Sequence, residues 1–255
     1  MKKPVYLFFL SLLATATQAQ TPFEGRIQYR ETIQFNIQVE GIDPAILDNM
    51  PKARASQREL WIKGSESMYL PVEKKEAAED ELQAEGGMRF KINMQEPKMA
   101  IYTHLAQKEQ WRLQEFMGRN FLIESKLDSQ AWKLHSETKE ILGFNCLRAS
   151  RKVDTLDMVV WFAPALPAMA GPDGLGNLPG TIMRVEYGSG NRVIEAVLVE
   201  ATAVEAGKIA KPKEGKKVTA AEFKKIQEEK VREMMEQFGA PGGGGQGNVI
   251  IRMQR

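Results

Sequence analysis

The strongest constraint on the fold is the strict alternation of apolar and polar side chains near the start of the chain. In GRIQYRETIQFNIQVE, residues 25–40, every even position from Gln28 to Glu40 is polar. The odd positions from Ile27 to Val39 are apolar, and only Glu31 breaks that series. Successive side chains of a β-strand point to opposite faces, so the pattern predicts a long strand with one buried face and one solvent-exposed face.

Further runs of the same kind follow along the chain. MRFKINMQ places Met88, Phe90, Ile92 and Met94 on one face. Glycine, asparagine, aspartate or charged clusters separate most runs at spacings of about 8 to 14 residues, which predicts antiparallel neighbours. The predicted fold is mainly β, a curved antiparallel sheet or open half-barrel. The other strand-like runs are RELWIKG, KMAIYTHL, QWRLQEF, NFLIES, AWKLHSE, FNCLRAS, LDMVVWFA, TIMRVEY and RVIEAVLVEATAV.

One segment near the C-terminus has helical periodicity. Thr219 and Glu222 have the spacing of a capping box, in which each side chain satisfies a free N–H group of a starting helix. A helix over residues 219–238 is expected, because Gly239 and Pro241 stop it. We expect it to pack on the sheet and to leave an apolar groove that could hold a ligand. The candidate ligand contacts are Phe223, Ile226, Met234 and Met235.

The remaining segments predict export and a single domain. Lys2 and Lys3, an apolar run from Val5 to Leu13 and small residues ending at Ala19 are typical of a secretory signal peptide over residues 1–19. No run is long enough to span a bilayer. We therefore expect a periplasmic or extracellular protein with no membrane span in its mature form. Residues 20–238 are expected to form one β domain with an acidic surface insert at residues 73–87, and residues 239–255 a Gly-rich tether and tail.

Charge and cysteine content exclude several classes of protein. The chain has 35 basic and 33 acidic side chains, so removal of Lys2 and Lys3 leaves it formally neutral. A neutral protein gives no electrostatic support for a nucleic-acid partner. Cys146 is the only cysteine, which rules out an internal disulfide and predicts a small buried apolar side chain. The absence of a cysteine at the cleavage site argues against an acylated lipoprotein.

A Gly- and Pro-rich loop, GPDGLGNLPGTIM at residues 171–183, precedes a predicted strand. Glycine and asparagine adopt positive φ angles, and proline fixes φ and removes a donor. A phosphate-binding loop would lead into a helix N-terminus, whereas this one leads into TIMRVEY, so a rigid corner is favoured over an anion site. Leu178 and Ile182 are expected to pack inward. The structural residues of the loop are Gly171, Pro172, Leu178, Pro179, Gly180 and Ile182.

The loop and its flanks resemble the GLPGLI family of exported Bacteroidetes proteins. Asn177 to Ile182 matches four of the six positions of the Gly-Leu-Pro-Gly-Leu-Ile motif. The flanking segments WKLHSETKEILGFNCLRAS and VVWFAPALPAMAGP are similar to the family's Trp, Gly-aromatic-x-Cys and Gly-Pro patterns. The family has no established activity, so the resemblance implies an exported protein without implying a reaction.

No set of residues has the spacing of a catalytic or metal site. His104 and His135 are the only histidines and each lies in a strand-like run, so no metal ligands and no cofactor are predicted. GSGN at residues 188–191 is typical of a hairpin turn rather than a nucleophile. The 12 methionines beyond Met1 are interpreted as packing residues. Whether Trp61, Trp111, Trp132 and Trp161 fill a core or line a cavity stays open.

Three functions are compatible with these features. The leading hypothesis is an exported, non-catalytic cell-envelope protein that binds a hydrophobic ligand or a protein segment. The second is a hydrolase or metal-dependent enzyme whose site is assembled only in three dimensions. The third is a structural or surface-assembly component that docks through its tail.

Overall fold

The computed structural model describes residues 23–34, 52–72, 81–83, 89–91, 97–127, 131–153 and 155–238. The expected signal peptide, most of the expected acidic insert, and the tether and tail lie outside these ranges. In the part that is described, no helix is both long enough and apolar enough to cross a membrane.

Fourteen strands and one α-helix make up the described fold. Short 3₁₀ turns occupy Pro172–Gly174 and Gly188–Gly190, and the helix α1 spans Ala220–Phe238. The strands are β1 Gly25–Gln34, β2 Ala53–Lys63, β3 Glu66–Pro71, β4 Glu81–Gln83, β5 Arg89–Lys91, β6 Met99–His104, β7 Glu109–Phe116, β8 Arg119–Lys126, β9 Lys133–Ile141, β10 Phe144–Val153, β11 Leu156–Ala163, β12 Thr181–Tyr187, β13 Arg192–Ala201 and β14 Lys216–Thr219.

Twelve of these strands form one open sheet in the order β14-β8-β7-β6-β3-β2-β1-β13-β12-β11-β10-β9. Its pairs are antiparallel, apart from the parallel pair of β14 and β8. Strands β4 and β5 form a separate two-stranded sheet among the described residues. The prediction of a mainly β, largely antiparallel fold with one C-terminal helix is confirmed.

The sheet is strongly rolled, as two contacts of one loop demonstrate. Gln110 of β7 donates a hydrogen bond to the carbonyl of Gly174 at 2.8 Å. Trp132, just before β9, donates to the carbonyl of Gly176 at 2.9 Å. In a flat sheet β7 and β9 would lie roughly 40 Å apart, because neighbouring strands are about 4.8 Å apart. The two carbonyls are only two residues apart, so the sheet must curve around the loop between them.

The inner face of the roll holds the largest apolar cluster of the described residues. It includes the fully buried side chains of Ile27, Tyr29, Val160 and Ile194. Residues 164–180, here called the inner loop, add Leu166, Ala168, Ala170 and Leu178 to the same cluster. The inner face is therefore filled by the chain's own loop.

The outer face carries a second, smaller apolar cluster. Met68, Tyr102, Trp111 and Leu122 are buried there, and Trp61, Leu70, Ala100 and Ile209 pack against them. Ile209 belongs to residues 202–215, here called the crossover segment, which connects β13 to β14. Val204 anchors its start, since its N–H donates to Glu24 at 2.9 Å and its carbonyl accepts from Lys63 at 3.3 Å.

Helix α1 contacts the sheet with its first turns. Phe223 is 6% exposed and its ring lies 5.2 Å from that of Phe121, on β8. The predicted capping box is confirmed, because the Thr219 N–H donates to Glu222 at 2.7 Å and the Glu222 N–H donates back to Thr219 at 3.2 Å. Beyond Ile226 most described side chains of the helix are exposed. The helix packs on the β8 and β14 end of the sheet, against the face that carries Phe121 and Ile123. Ile123 pairs with Arg112 and Arg112 with Ile101, so this is the inner face at its β8 end.

Candidate functional site

The inner loop is fixed to β12 by its own backbone. The Thr181 N–H donates to the carbonyl of Leu166 at 3.0 Å, and the Ile182 N–H donates to that of Ala170 at 3.0 Å. The Thr181 hydroxyl also lies 3.1 Å from the carbonyl oxygens of Leu166 and Ala168. These bonds satisfy polar backbone groups that the packing of the loop removes from water.

Two glycines of the loop are required by close packing. A Cβ at Gly171 would lie 2.7 Å from the Cβ of Ile182. A Cβ at Gly180 would meet the carbonyl of Ala163. Asn177 has a φ of 63°, in the left-handed region that asparagine tolerates better than most residues. Leu178 and Ile182 are both buried, so this stretch is a packed corner that leads into β12.

The tip of the inner loop brings Asp173 into a buried ion network. The carboxylate of Asp173 lies 2.6 Å from Nη1 of Arg192, and the Tyr187 hydroxyl donates to it at 3.0 Å. Asp173 itself has a φ of 59°, an uncommon backbone conformation for a residue other than glycine. The backbone carbonyl of Asp173 accepts a hydrogen bond from Arg112 at 3.3 Å.

The same arginine connects Asp173 to Glu31. Nε of Arg192 lies 2.6 Å from one carboxylate oxygen of Glu31, and Nε of Arg58 lies 2.9 Å from the other. The Ser56 hydroxyl donates to Glu31 at 3.3 Å. We call these five residues, Asp173, Arg192, Glu31, Arg58 and Tyr187, the inner network.

Strand register explains how remote residues meet in this network. Arg192 pairs with Ile33 of β1, which lies on the same face as Glu31 two residues away. On the other side of β1, Ser56 pairs with Glu31 and Arg58 pairs with Tyr29. Glu31 is only 4% exposed, and a buried carboxylate is stable only when it is paired and hydrogen-bonded. Strands on both sides of β1 supply those partners.

The network fixes the charge state of its acid. Burial alone would raise the pKa of Asp173, but the positive charges of Arg192 and Arg112 outweigh burial and lower the pKa to about 2. Burial, reinforced by the negative charge of Asp173, raises the pKa of Tyr187. Asp173 is therefore ionised and Tyr187 protonated near neutral pH. A general acid or base needs a pKa near the working pH, so neither group is suited to proton transfer.

Tyr69 adds a polar group next to the inner network. Its side chain is 1% exposed, and its hydroxyl has no hydrogen-bond partner among the described residues. Burial raises its pKa, and the charges of Asp173 and Glu31 raise it further. This hydroxyl is protonated and lies in the field of both carboxylates.

The histidines and the cysteine contribute no reactive cluster. His135 Nε2 lies 2.7 Å from the Ser150 hydroxyl, and the Gln107 N–H donates to His104 Nδ1 at 3.3 Å. No three potential metal ligands lie together in the described ranges. Cys146 is fully buried, and burial raises the pKa of its thiol to about 11. A thiol with that pKa is not a nucleophile at neutral pH.

Two of the four predicted ligand contacts of the helix lie in one cluster. Phe223 and Ile226 pack at the β8 edge, whereas Met234 is 44% exposed. The side chain of Met235 lies outside the described part of the chain. A ligand role for these residues stays a prediction. A shallow depression of about 490 Å³ lies elsewhere, lined by Lys133, Ser150, Asp157 and their neighbours, and shares no residue with the inner network.

Sequence analysis did not predict the inner network. Asp173 and Arg192 resemble many other charged residues of the chain, and nothing in their spacing links them. One signal was present, because Glu31 is the single polar residue on the apolar side of the first strand's alternation. A charge at a position that must be buried indicates that partners exist elsewhere in the fold.

Fold and site together define a rolled β domain whose inner face is filled by its own loop and braced by buried ion pairs. The family model described as "N-glycanase peptide, N-terminal domain" matches residues 89–225. The chain belongs to that family. The match covers the inner loop, Asp173 and Arg192, and it ends within α1.

The fold is similar to that of solved structures. Two structures of PNGF-II, in space groups P21 and C2, align with TM-scores of 0.50 and 0.52 at 17% and 18% sequence identity. Each alignment covers 80% of this chain but only 33% or 32% of PNGF-II. The chain therefore spans about a third of the length of these relatives. Comparison with curated protein sequences gives no match.

The resemblance to the GLPGLI family is wrong, since the family model and both structures point to the N-glycanase domain. The mistaken motif is a short corner whose glycines and prolines are required by close packing against Ile182 and Ala163. Any chain that makes such a turn into a buried strand needs similar residues. Six positions with short flanks are therefore weaker support than a match over half of the chain.

Proposed function

We propose that the protein is an exported, non-catalytic accessory domain of the N-glycanase type, which binds N-glycosylated protein without cleaving it. The family match over residues 89–225 is the single observation that carries this proposal. Export is supported by the signal-peptide pattern of residues 1–19.

The chemistry of the described acids supports a non-catalytic role. Asp173 and Glu31 are the acids of the inner network, and each is neutralised by at least one arginine. Hydrolysis of a glycan linkage needs a group that gives or takes a proton near neutral pH. Asp173 has a pKa of about 2 and fails this requirement. The network is better suited to hold the inner loop in place.

Glycan release and glycoprotein binding, measured on the same sample, test the proposal. Purified residues 20–255 are incubated with an N-glycosylated protein and with its enzymatically deglycosylated form. We expect retention of the glycosylated form in a pull-down and no glycan release by mass spectrometry, with an active N-glycanase as the positive control. Released glycan would overturn the non-catalytic role. Equal retention of both forms would overturn glycan recognition.

The hydrophobic-ligand hypothesis keeps one specific support, which is the exposed second half of α1. Met234 is 44% exposed on the helix that buries Phe223. Uptake of an apolar dye by the wild-type protein, reduced in Met234→Glu and unchanged in Lys230→Glu, is the expected result if this surface binds an apolar group. No uptake would leave the helix as an edge support of the sheet.

A further inference from the structure

The crossover segment and the start of β14 carry a concentrated positive charge. Between positions 205 and 217 the sequence contains five lysines and two glutamates, although the whole chain is close to neutral. All five lysines are exposed. We call the lysines the basic strip: Lys208, Lys211, Lys213, Lys216 and Lys217.

Aromatic rings of the outer face hold three of these lysines in place. Nζ of Lys208 lies 5.3 Å from the ring centroid of Trp61. Nζ of Lys211 and Nζ of Lys217 lie 3.4 Å and 4.6 Å from the ring centroid of Trp111. A cation over an aromatic face is attracted by the ring, which restricts the side chain. A restricted lysine loses less conformational entropy when it binds an anion.

Several of these charges are not neutralised within the described part of the chain. Lys217 lies 3.0 Å from Glu124. No ion pair to a described carboxylate is formed by Lys208, Lys211 or Lys213. Their positive charges face solvent at the surface of the crossover segment. Such a cluster attracts anions over roughly 8 Å at physiological ionic strength.

The surroundings of the strip discriminate between classes of anionic partner. Single-stranded nucleic acid is bound by stacking bases on free aromatic faces. Here Trp111 is only 5% exposed, and Arg26 and Lys208 already lie 5.4 Å and 5.3 Å from the Trp61 ring centroid. An anionic membrane surface is bound by lysines together with exposed apolar anchors. The one large apolar residue among positions 205–217, Ile209, packs into the outer cluster. The basic strip therefore lacks the free aromatic faces that bind single-stranded nucleic acid and the exposed apolar anchors that bind a membrane.

The length of the strip favours an extended polymer. Lys211 and Lys217 share the Trp111 ring. Lys208 lies over Trp61, which is three strand spacings or roughly 14 Å away, because Trp61 pairs with Met68, Met68 with Tyr102 and Tyr102 with Trp111. One small anion does not bridge that distance. We infer that the basic strip binds an acidic polysaccharide, whose sulfate or carboxylate groups recur along the chain and contact successive lysines. This inference does not depend on the proposed function, because it concerns the outer face only.

Binding to immobilised heparin tests the inference, with the triple variant Lys208→Gln, Lys211→Gln, Lys213→Gln. The matched control is Lys133→Gln, Lys139→Gln, Lys152→Gln, which removes the same amount of positive charge. It also removes a lysine that lies near a tryptophan, because Nζ of Lys139 is 5.9 Å from the ring centroid of Trp161. We expect the strip variant to bind at least tenfold more weakly, and the control to bind like the wild type. The plot of log affinity against log salt concentration has a negative slope, and its magnitude should decrease by about 2 to 3 in the strip variant.

A charge-preserving variant separates binding from folding. Replacing the same three lysines by arginine keeps both the charge and the contacts with tryptophan, so heparin binding should be retained. Equal weakening in the control variant would mean that net charge alone matters and would overturn the inference. Comparable affinity for duplex DNA or for anionic phospholipid vesicles would overturn the choice of polysaccharide, and absence of heparin binding by the wild type would overturn the strip as a site.

Discussion

The inner and outer faces of the rolled sheet are both covered by irregular chain, but different interactions hold the two covers. On the inner face, the inner loop places Asp173 against Arg192, which also binds the buried Glu31. On the outer face, the crossover segment contributes Ile209 to the apolar cluster and lays lysines over Trp61 and Trp111. The inner cover depends on buried charges, and the outer cover on exposed ones.

This difference in burial sets how much each contact should matter. A buried charge that loses its partner has no water to replace it, so removal of one partner costs several kcal/mol. An exposed cation over a ring contributes about 0.5–1 kcal/mol and is hydrated when the ring is removed. The inner face should therefore be sensitive to single substitutions, and the outer face tolerant of them.

The largest expected effect is that of Arg192→Ala. The substitution leaves Glu31 with one arginine and removes the ion-pair partner of Asp173, so the free energy of unfolding should fall by about 3–5 kcal/mol. The matched change on the outer face is Arg184→Ala, which breaks the more exposed pairs with Glu186 and Glu195. That control should cost about 1 kcal/mol or less. Urea denaturation measures both, and equal losses would contradict the contrast between the faces.

A second test compares one glycine in each cover. Gly180→Ala places a methyl group against the Ala163 carbonyl and should destabilise the protein by about 3 kcal/mol. Gly207 also has a positive φ, 90°, but an added Cβ there meets nothing within 4 Å. Gly207→Ala should therefore cost only about 1 kcal/mol, from the backbone conformation alone. Thermal denaturation distinguishes them, and similar shifts would show that the loop is not tightly packed.

Acid should weaken the inner face selectively. The folded-state pKa of Asp173 is lowered from 3.8 to about 2. Its contribution to stability is therefore complete above the unfolded-state value and is lost as the pH falls from about 4 to about 2. The size of this contribution is about 2 kcal/mol.

The variant Asp173→Asn should be less stable than the wild type at neutral pH and should lose less stability on acidification over that range. Urea midpoints measured at several pH values test this expectation. Parallel pH profiles for the variant and the wild type would show that Asp173 is not the acid-sensitive group.

The smallest effect is expected for the outer cover. Lys211→Gln removes one cation from the Trp111 ring and should lower the free energy of unfolding by about 0.5–1 kcal/mol. Lys139→Gln, which removes a more distant cation from the Trp161 ring, should cost less. A loss for Lys211→Gln as large as that for Arg192→Ala would mean that the outer face is not tolerant after all.

Local features of the chain were predictable because their causes are local. The alternation around Ile27 and Tyr29 indicated a strand, and both side chains are fully buried. Thr219 and Glu222 indicated the start of a helix, and their reciprocal hydrogen bonds are present. Each of these depends on residues within one strand or one helical turn.

The candidate site was less predictable because its members come from distant parts of the sequence. Glu31 and Arg192 are separated by 161 positions, and they meet only because β13 pairs with β1. The parallel pairing of β14 with β8 likewise depends on a crossover that no short pattern encodes. The family resemblance failed for a related reason, since a short Gly- and Pro-rich corner reports a local turn and not the fold around it.

The sequence by itself determined that the chain forms strands with one apolar side and contains a capped helix after them, because side-chain periodicity and capping act over a few residues. Only the tertiary structure decided what covers each face of the sheet. It also gave the one charged residue on the apolar face of the first strand, Glu31, its two arginine partners. Pairing of distant strands brings these groups together, and the high energy of an unpaired buried charge makes that pairing necessary.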